Sequence, residues 1–168
     1  MNILVTAASK HGSTLEIATA IGAELRQAGH VVDVVDVRQN PALAGYDTAV
    51  IGSAIYMGSW LAEAHTFIEA NQAALAQMPV WLFSSGPLGA ENPQPEGDPA
   101  QLPELLDLTQ ARGHQIFVGS LDKSDLGMME KMMVKAVKAP YGDFRDWEVI
   151  RAWAREIAAA LTAVSPAQ

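Results

Sequence analysis

Five short runs of mostly apolar residues punctuate the chain: Asn2–Thr6, Val31–Val37, Thr48–Ser53, Pro79–Ser84 and Gln115–Leu121. Each is too brief for a helix and rich in Val and Ile. Strands covered on both faces of a parallel sheet read this way, because neither face meets water. Between the runs the apolar period lengthens to that of a helix. Over Ser13–Ala28, the residues Leu15, Ala18, Ile21 and Leu25 fall on one face. Trp60–Gln77 is rich in Ala, Leu and Glu, and Leu102–Arg112 brings Leu105, Leu106 and Leu108 close together. Asp146–Ala163 carries a stripe of Ile150, Trp153, Ile157 and Leu161. Ser13-Thr14-Leu15-Glu16 fits a capping box at the start of the first helix. Gly29 and Gly113 stand where glycines close the first and third helices.

Strands alternating with helices form βαβ units, so the fold class is α/β. Five strands in this length suit a doubly wound parallel sheet of order 2-1-3-4-5 with helices on both faces. The expected organisation is one domain over residues 1–168. Glu91–Pro103 holds four prolines and reads as a long loop. The alternation fails at Asp122–Arg145, which follows the fifth strand. Its sequence includes GMMEKMMVKAVKAPYGDF and predicts an inserted helix over Leu126–Val137.

Composition narrows the function. Of 168 residues, 49% are hydrophobic and 18% charged, which is globular. A net charge of −8 repels phosphate backbones, so nucleic-acid binding is not expected. The absence of cysteine removes disulfides, thiolate metal sites and a cysteine nucleophile. MNILVTAASKHG lacks the basic lead of a signal peptide, and Ile157–Val164 is too short to span a bilayer. A cytoplasmic protein is expected, with any membrane contact peripheral.

Three loops could carry chemistry, each at the C-terminal end of an expected strand. Ser9, Lys10, His11, Gly12, Ser13 and Thr14 join the first strand to the first helix. A helix N-terminus presents unpaired N–H groups and the positive end of its dipole, Ser9, Ser13 and Thr14 add hydroxyls, and Gly12 permits close approach. The loop lacks the spacing of a dinucleotide or P-loop fingerprint. It is either a nest for a single phosphomonoester or an ordinary capped turn. Ala54, Ile55, Tyr56, Met57 and Gly58, with Trp60 beyond, end the third strand beside the crevice of this strand order. They either wall a flat aromatic ligand or cover the sheet end. Ser85, Gly86, Pro87, Leu88 and Gly89 end the fourth strand, where two glycines would admit a ring edge or simply form a turn.

S-K-H-G-S-T resembles the phosphate loop of the flavodoxins. With V-I-G-S-A-I-Y-M-G at the third strand and G-D-F-R-D-W-x-x-I-x-x-W-A late in the chain, the whole sequence resembles the flavodoxin-domain family, close to its protoporphyrinogen-oxidase-like group. The resemblance implies FMN. Ser9, His11, Gly12, Ser13 and Thr14 would hold its phosphate, with Lys10 in the same cofactor loop; Ala54, Ile55, Tyr56, Met57 and Gly58 would line one side of the isoalloxazine, and Ser85, Gly86, Pro87, Leu88 and Gly89 the other. It also implies an FMN-dependent oxidoreductase with a quinone-type acceptor. The alternative is a flavodoxin-type electron carrier without its own substrate. Carriers often have an acidic, aromatic third loop, whereas S-S-G-P-L-G is small and neutral.

No catalytic acid or base stands out, which suits a flavoprotein, where the cofactor performs the redox step. No metal is expected; His65 and Glu69, one turn apart, read as a solvated helix face. A non-flavin receiver-type domain is disfavoured because no acidic cluster follows the first strand. The inserted segment has three readings: methionines packed on the sheet, an adaptable wall for substrate or partner, or a peripheral membrane or quinone contact. Met128 with Met132 and Met129 with Met133 make two adjacent stripes. The expectation is one stripe packed on the domain and one facing outwards beside Lys131 and Lys135.

Overall fold

The computed structural model describes residues 1–86, 98–136 and 141–164. Its elements are β1 (Asn2–Ala8), α1 (Ser13–Gln27), β2 (Val31–Asp36), β3 (Thr48–Tyr56), β4 (Ser59–Trp60), α2 (Ala62–Leu75) and β5 (Val80–Ser85). There follow α3 (Leu102–Thr109), β6 (Gly113–Phe117), β7 (Ser120–Leu121), α4 (Met128–Ala136), β8 (Gly142–Asp143) and α5 (Trp147–Val164). The parallel sheet has the order β2-β1-β3-β5-β6, which is 2-1-3-4-5 for its five long strands. Two short pieces are additional: β4 lies antiparallel to β3, and β7 pairs with β8 apart from the main sheet.

Alternation along the strands feeds two cores. Ile3, Val5, Ala7, Val50, Trp81, Phe83 and Phe117 face α1 and α5, where Ile17, Ile21, Leu25, Ile150, Trp153 and Ile157 are buried. Leu4, Ala49, Ile51, Val80 and Leu82 face the other layer, where Phe67, Ile68, Leu75 and Leu105 pack. Phe83, Phe117 and Trp153 meet with centroids 5.6–6.3 Å apart. Gly52 lies opposite Phe83 in the ladder, and a Cβ there would come within 2.1 Å of the Phe83 ring. Glycine is required because the ring occupies that space.

Local signals were overridden in three places. The capping box at Ser13 does not form: the helix N-cap is Gly12, at φ +89°, without a side-chain cap. The left-handed Gly12 turns the chain so that Ser13 is already helical, and the Ser9 hydroxyl accepts the Thr14 N–H instead (3.2 Å). Gly113 does not close α3. Gln110, in the left-handed region at φ +51°, ends it by donating to the Leu106 carbonyl (2.8 Å), and Gly113 opens β6 beside Trp81. The run Gln115–Leu121 divides: β6 stops at Phe117, and Ser120–Leu121 leaves the sheet to pair with Gly142–Asp143.

Candidate functional site

The loops after β1 and β3 and the described end of β5, Ser85 and Gly86, lie at the C-terminal edge of the sheet, beside the point where strand order reverses between β1 and β3. In the first loop Ser9 is buried and Thr14 fully so, on the first turn of α1. The Thr14 hydroxyl oxygen is buried with no hydrogen-bond partner. Buried polar groups are nearly always satisfied, and an orphan hydroxyl at a helix N-terminus is a group that a bound anion could satisfy. Gly12 adds a left-handed backbone, and a Cβ built there meets nothing within 4 Å. These residues fit a phosphate.

Lys10 and His11, in the same loop, point elsewhere. Lys10 Nζ lies 2.5 Å from Glu130 Oε1 on α4, and His11 Nε2 lies 3.3 Å from the same oxygen. The Gly127 N–H donates to Glu130 Oε2 (2.8 Å), capping α4 with its own third residue. The Lys10 ammonium, then the Gly127 amide, hold the Glu130 pKa down to about 2. The same pairing raises Lys10. Lys10 Nζ also stands 4.2 Å from the centroid of the Tyr56 ring, a cation–π distance. On the other flank, Arg145 donates to the Ser13 carbonyl (3.1 Å) and pairs with Glu16 (2.7 Å) and Asp143 (2.7 Å), stacking 4.5 Å from Trp147. The segment that interrupts the βα alternation thus grips the first loop from two sides.

In the second loop, Ala54, Ile55 and Tyr56 end β3, and Met57 (φ +53°) and Gly58 (φ +76°) turn it back into β4. Tyr56 is 37% and Met57 79% exposed. Trp60 is not part of an open wall. It is buried in the α2-side core, and its indole N–H donates to Ser84 Oγ (2.7 Å). The two-residue strand β4 sets this side, because Trp60 pairs with Ile55 and turns inward. In the third loop Ser85 is buried at the end of β5, and the Gly86 N–H, at φ +80°, donates to the Phe117 carbonyl (3.0 Å). Pro87, Leu88 and Gly89 lie outside the described residues. Gly119 passes so close to this loop that a Cβ on it would stand 3.2 Å from Gly86 N.

The α4 methionines do not divide as expected. Met128, Met129 and Met132 are 83%, 79% and 69% exposed, so members of both stripes face outwards. The inward side carries Glu130 and half-buried Val134, preceded by buried Leu126. Among the described side chains, the ion pair of Glu130 rather than a methionine seats the helix. His65 meets Glu69 (3.2 Å) and Glu104 (3.4 Å), joining α2 to α3. Among the described residues no cluster of metal-ligating side chains occurs, and no helix is long and apolar enough to cross a membrane.

Neither Glu130 nor Gly119 stood out in the sequence, and Arg145 did so only as part of the late G-D-F-R-D-W motif, without a role. Their partners lie 119, about 33 and 132 residues away along the chain. A carboxylate three residues after Gly127 was the one local signal, and it reads as a cap.

Residues 4–147 match the family model of a flavodoxin domain. The chain is 26% identical to protoporphyrinogen IX dehydrogenase [quinone] of Escherichia coli strain K12, over 94% of this chain and 95% of that protein. Among solved structures it is similar to a flavodoxin from the domain Archaea, with TM-score 0.64 and 15% identity over 96% of this chain and 99% of that one. Flavodoxin 1 from Bacillus cereus gives TM-score 0.61 and 17% identity, over 95% and 98%.

Proposed function

The chain belongs to the flavodoxin-domain family, close to the protoporphyrinogen dehydrogenase group, and on that premise we propose that it is an FMN-binding oxidoreductase with a quinone-type acceptor. The observation that carries the cofactor is the orphan Thr14 hydroxyl on the first turn of α1, beside left-handed Gly12. Ser9, Gly12, Ser13 and Thr14 would hold one phosphate. A single compact nest favours FMN over a dinucleotide, whose pyrophosphate needs a longer glycine fingerprint. Ala54 to Gly58 would wall one side of the ring, with Tyr56 the aromatic contact. Ser85 and Gly86, continued by Pro87, Leu88 and Gly89, would flank the other.

The flavin supplies the redox step, accepting hydride or electrons from one partner and passing them to the next. The chain's own part is to fix the phosphate, wall the ring and present a surface to the partners. α4 supports an enzyme rather than a carrier. Met128, Met129 and Met132 make an adaptable apolar surface beside the first loop, flanked by Lys131 and Lys135. That surface suits a flat, lipophilic substrate or acceptor, and a peripheral contact of this cytoplasmic protein with a membrane. A flavodoxin-type carrier is the second reading, favoured by the likeness in fold to flavodoxins.

Two experiments test the proposal. Flavin released from the purified protein should co-elute with FMN; FAD, or no flavin after reconstitution, overturns the cofactor. Oxidation of protoporphyrinogen with a soluble quinone should then turn over. An FMN-loaded protein that exchanges electrons with redox proteins but oxidises no such substrate is the carrier.

A further inference from the structure

We infer that Lys10 and Glu130 are positioning residues: together they clamp α4 over the first loop, and Lys10 is not a ligand of the phosphate. This deepens, and rests on, the reading of that loop as a phosphate site.

A lysine in a phosphate-binding loop is ordinarily taken as the counter-charge for the phosphate. Here its Nζ is committed to Glu130 at 2.5 Å and to the face of Tyr56 at 4.2 Å. Glu130 is committed in turn: Oε1 faces Lys10 and His11, and Oε2 accepts the Gly127 amide. Its side chain is 17% exposed, in a helix whose three described methionine side chains are 69–83% exposed. Among the described residues, every ion pair and side-chain hydrogen bond from α4 to the rest of the fold passes through Glu130. Of the other described side chains, only Val134 and the preceding Leu126 face inward. Lys10 therefore joins three pieces that the proposed reaction must keep in register: the phosphate loop, the ring wall at Tyr56 and the methionine surface.

The electrostatics point the same way. A carboxylate at the lip of an anion site repels the anion unless it is neutralised, and Lys10 neutralises Glu130. This gives the two roles of Lys10 opposite signatures. If Lys10 binds phosphate, losing it weakens FMN whatever stands at 130. If Lys10 instead screens and anchors Glu130, losing it weakens FMN only while the carboxylate remains.

The test uses Lys10→Met, Glu130→Gln and the double variant, with two readouts. The first is FMN affinity, by quenching of flavin fluorescence. Glu130→Gln should bind within about twofold of the parent, Lys10→Met about three- to tenfold more weakly, and the double variant should recover. The second is amide hydrogen exchange over Met128–Ala136. It should speed up in each single variant, and no further in the double, since partners in one interaction are non-additive. FMN loss that persists in the double variant makes Lys10 a phosphate ligand and overturns the inference. So does unchanged exchange of α4 in Glu130→Gln. If the parent protein binds no flavin, the reading of the loop fails, while the exchange arm still decides whether the clamp exists. With FMN bound, reoxidation by a water-soluble naphthoquinone should change in Glu130→Gln although affinity does not; unchanged rates would overturn the positioning role of the pair.

Discussion

Thr14 carries a hydroxyl that the fold buries and does not satisfy. In the flavin-free protein an unsatisfied buried polar group costs about 1–3 kcal/mol, so Thr14→Val should raise the melting temperature of that form. With FMN the sign reverses. A charge-assisted bond to phosphate would be lost, about 1.5–3 kcal/mol, or at least roughly tenfold in affinity. Thermal unfolding without flavin and a binding titration check the pair of signs; the same sign in both would remove Thr14 from the site. Gly12→Val should also lose affinity, because a β-branched residue at φ +89° is strained by about 1–2 kcal/mol. A flavin titration matching the parent would contradict it. Ser9, Gly12 and Thr14 were legible in the sequence because a strand end, a glycine and a helix start are local signals. Glu130 and Arg145 were not, because their meaning comes from a loop more than a hundred residues away. Trp60 was visible as an aromatic near the crevice, but only the hairpin with Ile55 turns it into the core.

At the scale of elements, β3 and β5 depend on an exchange of volume between strands. Gly52 has no side chain, and the Phe83 ring fills the space above it against Phe117 and Trp153. Gly52→Ala should therefore destabilise by about 1–3 kcal/mol, as overpacked cores do, although alanine suits a strand better than glycine. Urea unfolding measures it; a variant as stable as the parent would mean that the ring shifts without cost. The five long strands were legible because burial on both faces leaves continuous Val- and Ile-rich runs. The short pairs β3–β4 and β7–β8 were not, since two residues carry no periodicity. Gly113 misled for a related reason. A glycine after an apolar helix marks a cap only when the chain adopts its left-handed turn there, and Gln110 had already supplied that turn.

For the whole molecule, stability should depend on pH in two stages, and the upper one traces to two partly buried histidines. His114 on β6 has a side chain only 7% exposed, with Nε2 2.8 Å from Ser84 Oγ, the same oxygen that accepts the Trp60 indole N–H. Burial lowers its pKa, opposed more weakly by Asp98 at 3.8 Å. His30 is also lowered, first by burial and then by the charged N-terminus, and its Nε2 is buried without a partner. A histidine whose folded pKa lies below its unfolded value, about 6.5, binds fewer protons when folded across that interval. Stability therefore rises with pH there and falls as the pH drops below about 6.5, by up to about 1.4 kcal/mol per pH unit for each group. The lower stage belongs to carboxylates whose pKa is depressed, Asp36 by Arg38, Asp143 by Arg145 and Glu130 by Lys10. Their contribution is present above their unfolded values and lost as the pH falls through the folded ones. His114→Gln should be less stable than the parent at pH 7.5, because the Trp60–Ser84–His114 contacts loosen. Between pH 6.5 and 5 it should lose stability less steeply, with His30 supplying the slope that remains. Urea midpoints at pH 5, 6 and 7.5 measure both effects; a variant that runs parallel to the parent over that range would take His114 out of the upper stage.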